Sequence, residues 1–317
     1  MSRTLLRGLA LAAVAALGLS ACGSTETTAT DTPANDGALT IFATTGYLGD
    51  AAQVIAPDAK VTVMVEPGGD PHTYQPTTQD IEAMQSANLV LWNGLHLEAL
   101  MIDQLREQGD RQLEVGEKVP HDLLLDWPET DDQGNPLHDP HIWNSPEIWK
   151  GVVDQIAARL GEIDPDNAST YADNAKAYNT KIDEIDAMAK EKFAQLKDEN
   201  RVLVTGHDAF NYLGARYNLK VYATDFVTSE AEMSPAQLEE LATTIADAQV
   251  PAIFIDNLKN PQAVESLQEA VKAKGWDVAI AEEELYADSL GDAAPVDTYL
   301  GVFEHNVLAV TKGLGVK

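Results

Sequence analysis

Two short segments carry the same pattern, Asp-Pro-His followed one residue later by an aromatic side chain: Asp70-Pro71-His72-Thr73-Tyr74 and Asp139-Pro140-His141-Ile142-Trp143. Each proline fixes its own φ and drives the preceding aspartate into an extended conformation, so both histidines sit on stiffened loops. A stiff loop loses little entropy when its side chain is tied down, which suits a ligand-presenting position. A single Asp-Pro-His reads as a turn with a histidine after it. Two copies in a chain of only seven histidines point instead to a shared role. Two further residues join them as candidates: His207, in Thr205-Gly206-His207-Asp208-Ala209-Phe210, and Asp288, in Leu285-Tyr286-Ala287-Asp288-Ser289. Three neutral imidazoles and a carboxylate suit zinc and can also hold manganese or iron. Asp70, Asp139 and Asp208 could orient the imidazole rings or cap the turns that follow them. His96, His121, His138 and His305 rank lower, because nothing in their surroundings aligns them with a partner.

The ends of the chain set the compartment. Arg3 and Arg7 precede an apolar run, residues 8–19, that is too short to span a bilayer, and small residues lead into Cys22. That is a secretion signal over residues 1–21 with a bacterial lipoprotein processing motif, in which Cys22 becomes the lipidated first residue. Cys22 is the only cysteine in the 317 residues, so the exported part has no disulfide and any metal site must use nitrogen and oxygen. A net charge of −30 speaks against nucleic acid or an anionic membrane surface as partner. Residues 22–37 are rich in Ser, Thr, Pro and Asp with no apolar period, and read as a flexible tether.

The elements that must position the candidates alternate. Strands are expected at 39–43, 61–65, 89–92 and 111–115, with helices at 47–55, 78–86 and 96–108 between them. Residues 120–140, with four prolines and acids at 129–132, break the rhythm and read as a surface loop. From 168 to 197 apolar residues advance by threes and fours without Gly or Pro, giving one helix of roughly 45 Å. A coiled-coil dimer competes, but alanine at two of its core positions is weak for that. Strands then resume at 202–205, 220–223, 252–255 and 278–281, with helices at 235–248, 261–274 and 298–314. The expected fold is α/β: two lobes (38–165 and 199–317), each a mostly parallel sheet flanked by helices, joined by one long helix over 166–198. Ligands of such sheets bind outside the carboxyl ends of the strands, where His72, His207 and Asp288 fall. Motifs of hydrolases, phosphate loops and dinucleotide folds are missing, and four protein ligands leave little room for a catalytic water. Binding fits better than turnover.

These segments together resemble the zinc/manganese substrate-binding lipoproteins of ABC importers, the ZnuA/TroA type with the cluster A fold. The resemblance runs from about residue 39 to 314 and rests on the two Asp-Pro-His segments, Val204-Thr205-Gly206-His207-Asp208-Ala209-Phe210-Asn211-Tyr212, Leu285-Tyr286-Ala287-Asp288-Ser289-Leu290 and the closing Thr298-Tyr299-Leu300-Gly301…His305-Asn306. It implies that His72, His141, His207 and Asp288 bind one Zn²⁺ or Mn²⁺ between two lobes. It also implies a monomeric receptor on the outer face of the cytoplasmic membrane that hands the metal to a permease and its ATPase. The loop before His141 is short and acidic where some zinc members have a long His-rich one, and His207 stands where some manganese members have Glu; the metal stays open. A metal-dependent hydrolase and a surface adhesin with a structural metal are the alternatives.

Overall fold

The computed structural model describes residues 38–131, 133–224, 233–258 and 261–316. The leader 1–21, Cys22 and the tether 22–37 lie outside the described residues. The first sheet is built from β1 (Thr40–Ala43), β2 (Lys60–Val63), β3 (Leu89–Trp92) and β4 (Gln112–Glu114), all parallel in the order β2-β1-β3-β4. β1 and β3 are the inner strands. β3 reads Leu-Val-Leu-Trp without alternation because helices or loops cover both its faces, and all four residues are buried. Between them, α1 (Gly46–Ile55) starts on Thr45, whose hydroxyl accepts from the Leu48 N–H, and α2 (Thr78–Ser86) starts on a Thr77/Asp80 capping box.

The expected helix over 96–108 is broken. Gly94, Leu95 and His96 all have positive φ, so no helix can begin there; a 3₁₀ turn at Ala99–Met101 and a short α3 (Ile102–Arg106) take its place. The expected loop at 120–140 contains an antiparallel hairpin, β5 (Asp126–Thr130) and β6 (Pro136–His138), whose register shifts between Trp127 and Thr130.

Two helices follow. α4 (Pro146–Ile163) begins with Ser145 as cap and proline in the first turn, and α5 (Ala168–Ala194) runs 27 residues, about 40 Å. The buried face of α5 carries Tyr171, Ala175, Tyr178, Ile182, Ala189 and Phe193. It packs on α1 and α4 of its own chain, which leaves no apolar seam for a coiled-coil partner. Tyr178 donates to Asp50 on α1 (2.5 Å), pinning the long helix to the first sheet's flank.

Beyond it come β7 (Val202–Thr205), α6 (Asn211–Tyr217), β8 (Lys220–Ala223), α7 (Pro235–Ala248), β9 (Ala252–Ile253), α8 (Pro261–Ala273), β10 (Ala279–Ile280) and α9 (Tyr299–Gly313). β7 pairs with β8 and β9 with β10, each parallel, and single parallel bridges Thr205–Phe254 and Asp256–Leu285 carry the pairing onward. β9 and β10 are shorter than the four residues expected of each, because the chain past each of them is held by such single bridges. One hydrophobic core runs from Ile41 and Tyr47 through Trp149 and Tyr178 to Phe254 and Phe303, so both halves and α5 share it. Among the described residues no helix is long and apolar enough to cross a membrane.

Candidate metal centre

The chain after β2 turns back through Gly68, whose N–H donates to the Ser289 hydroxyl (2.9 Å), and then presents His72. Asp70 Oδ1 accepts the His72 N–H (2.8 Å) and Oδ2 accepts the Thr73 hydroxyl (2.9 Å), the local turn that Asp-Pro favours. Tyr74 reaches forward and donates to Asp80 Oδ2 (2.9 Å), joining this loop to the start of α2.

His141 is held on more sides. Its Nδ1–H donates to Asp139 Oδ1 (2.7 Å), and the same oxygen accepts its backbone N–H (2.9 Å). Asp139 in turn accepts from Asn211 Nδ2 at Oδ2 (3.1 Å) and from the Tyr212 hydroxyl at its carbonyl (2.8 Å), while Asn93 donates to the Pro140 carbonyl (2.9 Å). A proton on Nδ1 leaves Nε2 as a bare lone pair, the form that binds metal.

His207 leaves the carboxyl end of β7. Its N–H donates to Asp256 Oδ2 (2.7 Å), and the Thr205 hydroxyl donates to its carbonyl (2.7 Å). A Cβ at Gly206 would lie 2.6 Å from that Asp256 oxygen, so only glycine lets the loop close this tightly. Asp208 accepts from Asn211 Nδ2 (2.9 Å). The acid that holds the His207 backbone is thus Asp256, three residues past the end of β9, which sequence reasoning missed. Asp288 follows Ala287, whose N–H donates to Asn257 Oδ1 (2.9 Å).

The structure brings these four side chains together, all buried, with one ligand atom of each within 4.8 Å of the others. His141 Nε2 lies 3.3 Å from His72 Nε2 and 3.2 Å from His207 Nε2. Asp288 Oδ2 lies 3.3 Å from His72 Nε2 and 3.1 Å from His207 Nε2, and Oδ1 lies 3.5 Å from His141 Nε2. Four ligands at about 2.1 Å from a tetrahedral ion stand roughly 3.4 Å apart, so the spacing suits a transition metal without rearrangement. Among the described residues neither Asp288 oxygen has a well-formed hydrogen-bond partner, and three ring nitrogens converge beside it. Buried acceptors arranged this way repel one another unless a cation or proton lies between them.

The electrostatics agree. Burial holds His72 below its usual range. Burial also disfavours charge on His207, but Asp288 first and Asp256 after it outweigh this and push it up to about 9. Burial would raise Asp288, yet His207 and His141 hold it well below the usual carboxylate range. The centre therefore keeps its carboxylate ionised and attracts positive charge. Of the remaining histidines, His305 bonds the Glu284 carbonyl (2.8 Å), and His121 and His138 stack edge-on 5.0 Å apart near the hairpin. Among the described residues no other group of three His, Cys, Asp or Glu converges.

Residues 41–313 match the family model described as zinc-uptake complex component A, periplasmic. The chain is 34% identical to the zinc-binding protein TroA of Treponema pallidum over 307 residues, 96% of this chain and 97% of that one. It is 33% identical over 283 residues to the manganese-binding lipoprotein MntA of Bacillus subtilis, covering 88% and 90%. It is 31% identical over 271 residues to the iron-binding protein YfeA of Yersinia pestis, covering 84% and 83%. The solved structure of the TroA protein superposes with a TM-score of 0.83 over 88% of this chain and 100% of that one.

Proposed function

Because the chain belongs to the family of periplasmic zinc-uptake component A proteins, we propose that it is an extracytoplasmic receptor. It captures a divalent transition metal, Zn²⁺ or Mn²⁺, and delivers it to an ABC importer permease and, through it, to the ATPase. His72, His141, His207 and Asp288 are the ligands, and one metal is bound per chain. The observation that carries this reading is the convergence, at 3.1–3.5 Å in a buried site, of three imidazole nitrogens and a carboxylate with no other well-formed partner among the described residues. The metal is cargo. A set of three nitrogens and a carboxylate binds zinc more tightly than manganese at equilibrium, so supply outside the cell decides which of them is carried. The chain is not an enzyme: four protein ligands fill a tetrahedral ion, leaving no position for an activated water.

It works on the outer face of the cytoplasmic membrane as a monomer, with Cys22 as the lipid anchor and residues 22–37 as tether. Residues 38–165 and 199–317 are its lobes and 166–198 its connecting helix. The core shared by both halves and α5 resists wide hinge opening. Release therefore proceeds by movement of the ligand loops.

Metal analysis of the purified mature chain, followed by competitive titration against a chelator, tests the proposal. The expected result is one equivalent of tightly held zinc or manganese, lost in His207→Ala while the apo fold survives. A wild-type chain with no tight transition-metal site would overturn it.

A further inference from the structure

The peptide bond just before Asp288 is held from the other half of the chain. The Ala287 carbonyl accepts two hydrogen bonds, from the Tyr47 hydroxyl (3.0 Å) and from Trp143 Nε1 (2.9 Å). Tyr47 lies on α1 and Trp143 closes the second Asp-Pro-His segment. Their rings stack at 5.0 Å and 18°, and both are buried. Trp143 also meets the His141 ring edge-on at 5.3 Å and 79°. One indole therefore touches the ring of one ligand and the carbonyl beside another. Asp288 needs such support, since among the described residues its own oxygens have no well-formed hydrogen bond that would fix the side chain.

We infer that Tyr47 and Trp143 are positioning residues for the Asp288 carboxylate, and that Trp143 couples the His141 loop to the Asp288 loop so that the pair sets how fast metal leaves. This rests on the ligand assignment made above. Fixing a ligand's peptide lowers the cost of ordering it when metal arrives; partners bonded to a ligand itself are worth about 10–100-fold in metal affinity, and a single bond to the adjoining peptide is worth less. The two donors share one acceptor, so losing either leaves the other in place, and losing both frees the carbonyl. Trp149 supplies the contrast. It is buried in the same aromatic cluster, edge-on to Tyr47, but its Nε1 has no hydrogen-bond partner among the described residues.

The test is stopped-flow transfer of zinc from the loaded mature protein to excess chromophoric chelator, for wild type, Tyr47→Phe, Trp143→Phe, the double variant and Trp149→Phe. Each single variant at the Ala287 carbonyl is expected to release zinc about threefold faster, and the double variant at least about twentyfold faster. Trp149→Phe is expected to lower the melting temperature while leaving the release rate within about twofold of wild type. Release from the two single variants and from the double at the wild-type rate would overturn the inference, as would Trp149→Phe matching Trp143→Phe in rate. Should the double variant fail to fold, the single variants and Trp149→Phe decide alone. A wild-type chain that binds no zinc would sink the ligand assignment as well, whereas normal wild-type binding with unchanged variant rates sinks only this inference.

Discussion

The two Asp-Pro-His segments share a sequence pattern and differ in nearly everything around it. In the second, Asp139 holds the His141 ring, its carboxylate and carbonyl are both bonded to α6, and Trp143 is buried against the opposite half. In the first, Asp70 accepts from the backbone of His72 and from the Thr73 hydroxyl, Tyr74 bonds Asp80 nearby, and residues 66–68 are exposed. The same five-residue pattern thus yields a fully held imidazole in one place and, in the other, a buried imidazole on a loop whose preceding residues are exposed. What decides between them is where each aromatic bonds, Trp143 across to Ala287 and Tyr74 only to nearby Asp80, together with the hold of α6 on Asp139. On this reading His141 is the fixed post on which the site is built, and the His72 loop is the part that yields when metal leaves.

The largest effect should come from removing the rings themselves. A binding free energy of about 10–16 kcal/mol shared by four ligands is roughly 3 kcal/mol each, so His141→Ala should weaken zinc by a few hundredfold. His72→Ala should cost at least about fivefold less, because water can enter from the exposed side; chelator competition measures both. Equal losses would erase the distinction between the segments. Next, Asp139→Asn removes the acceptor that orients His141 and should cost about 10–100-fold in affinity, whereas Asp70→Asn should stay within about fivefold. The reverse order in the same titration would break the comparison.

A smaller effect is expected at α6, which carries Asn211 and Tyr212 to Asp139. Tyr212→Phe removes one hydrogen bond to the second segment and should weaken zinc by about threefold to tenfold, with no counterpart in the first. The far end of α6 is anchored by Asp186 on α5, which accepts from Arg216 Nε and Nη2 (2.7 Å each), from Lys190 (2.7 Å) and from Tyr217 (2.7 Å). Burial alone would raise the Asp186 carboxyl, but Arg216, Lys190 and Tyr217 outweigh it and hold it well below the usual range. A depressed folded pKa gives stability that is present above the unfolded value near about 4 and lost as pH falls through the folded value. Asp186→Asn should therefore lower stability at pH 7 by about 2 kcal/mol and flatten the acid side of the stability curve, while zinc affinity moves less than about threefold. Denaturant unfolding from pH 7 to pH 2 would show it; an unchanged acid limb would mean that this network does not hold α6.

Much of this was legible in the sequence because the signals were local. The period of α5 and the β-branched strand runs act over a few residues, and His72, His207 and Asp288 each come after a strand. The hairpin in the expected loop was hidden because Pro128 and Pro136 sit in it and its two strands pair out of register. The helix over 96–108 failed on a left-handed stretch at Leu95 and His96 that no glycine marks at those two positions. Asp256 gave no local sign of its role, because its partner is a backbone N–H 49 residues away. Tyr47 and Trp143 gave no local sign of theirs either, because the Ala287 carbonyl that joins their donors lies 240 and 144 residues away.

The most direct test of the metal centre is X-ray absorption at the zinc edge on protein loaded with one equivalent. The expected spectrum has three imidazole nitrogens and carboxylate oxygen at about 2.0–2.1 Å, with one imidazole fewer in His72→Ala. A shell of oxygen alone, unchanged by that substitution, would contradict ligation by His72, His141, His207 and Asp288.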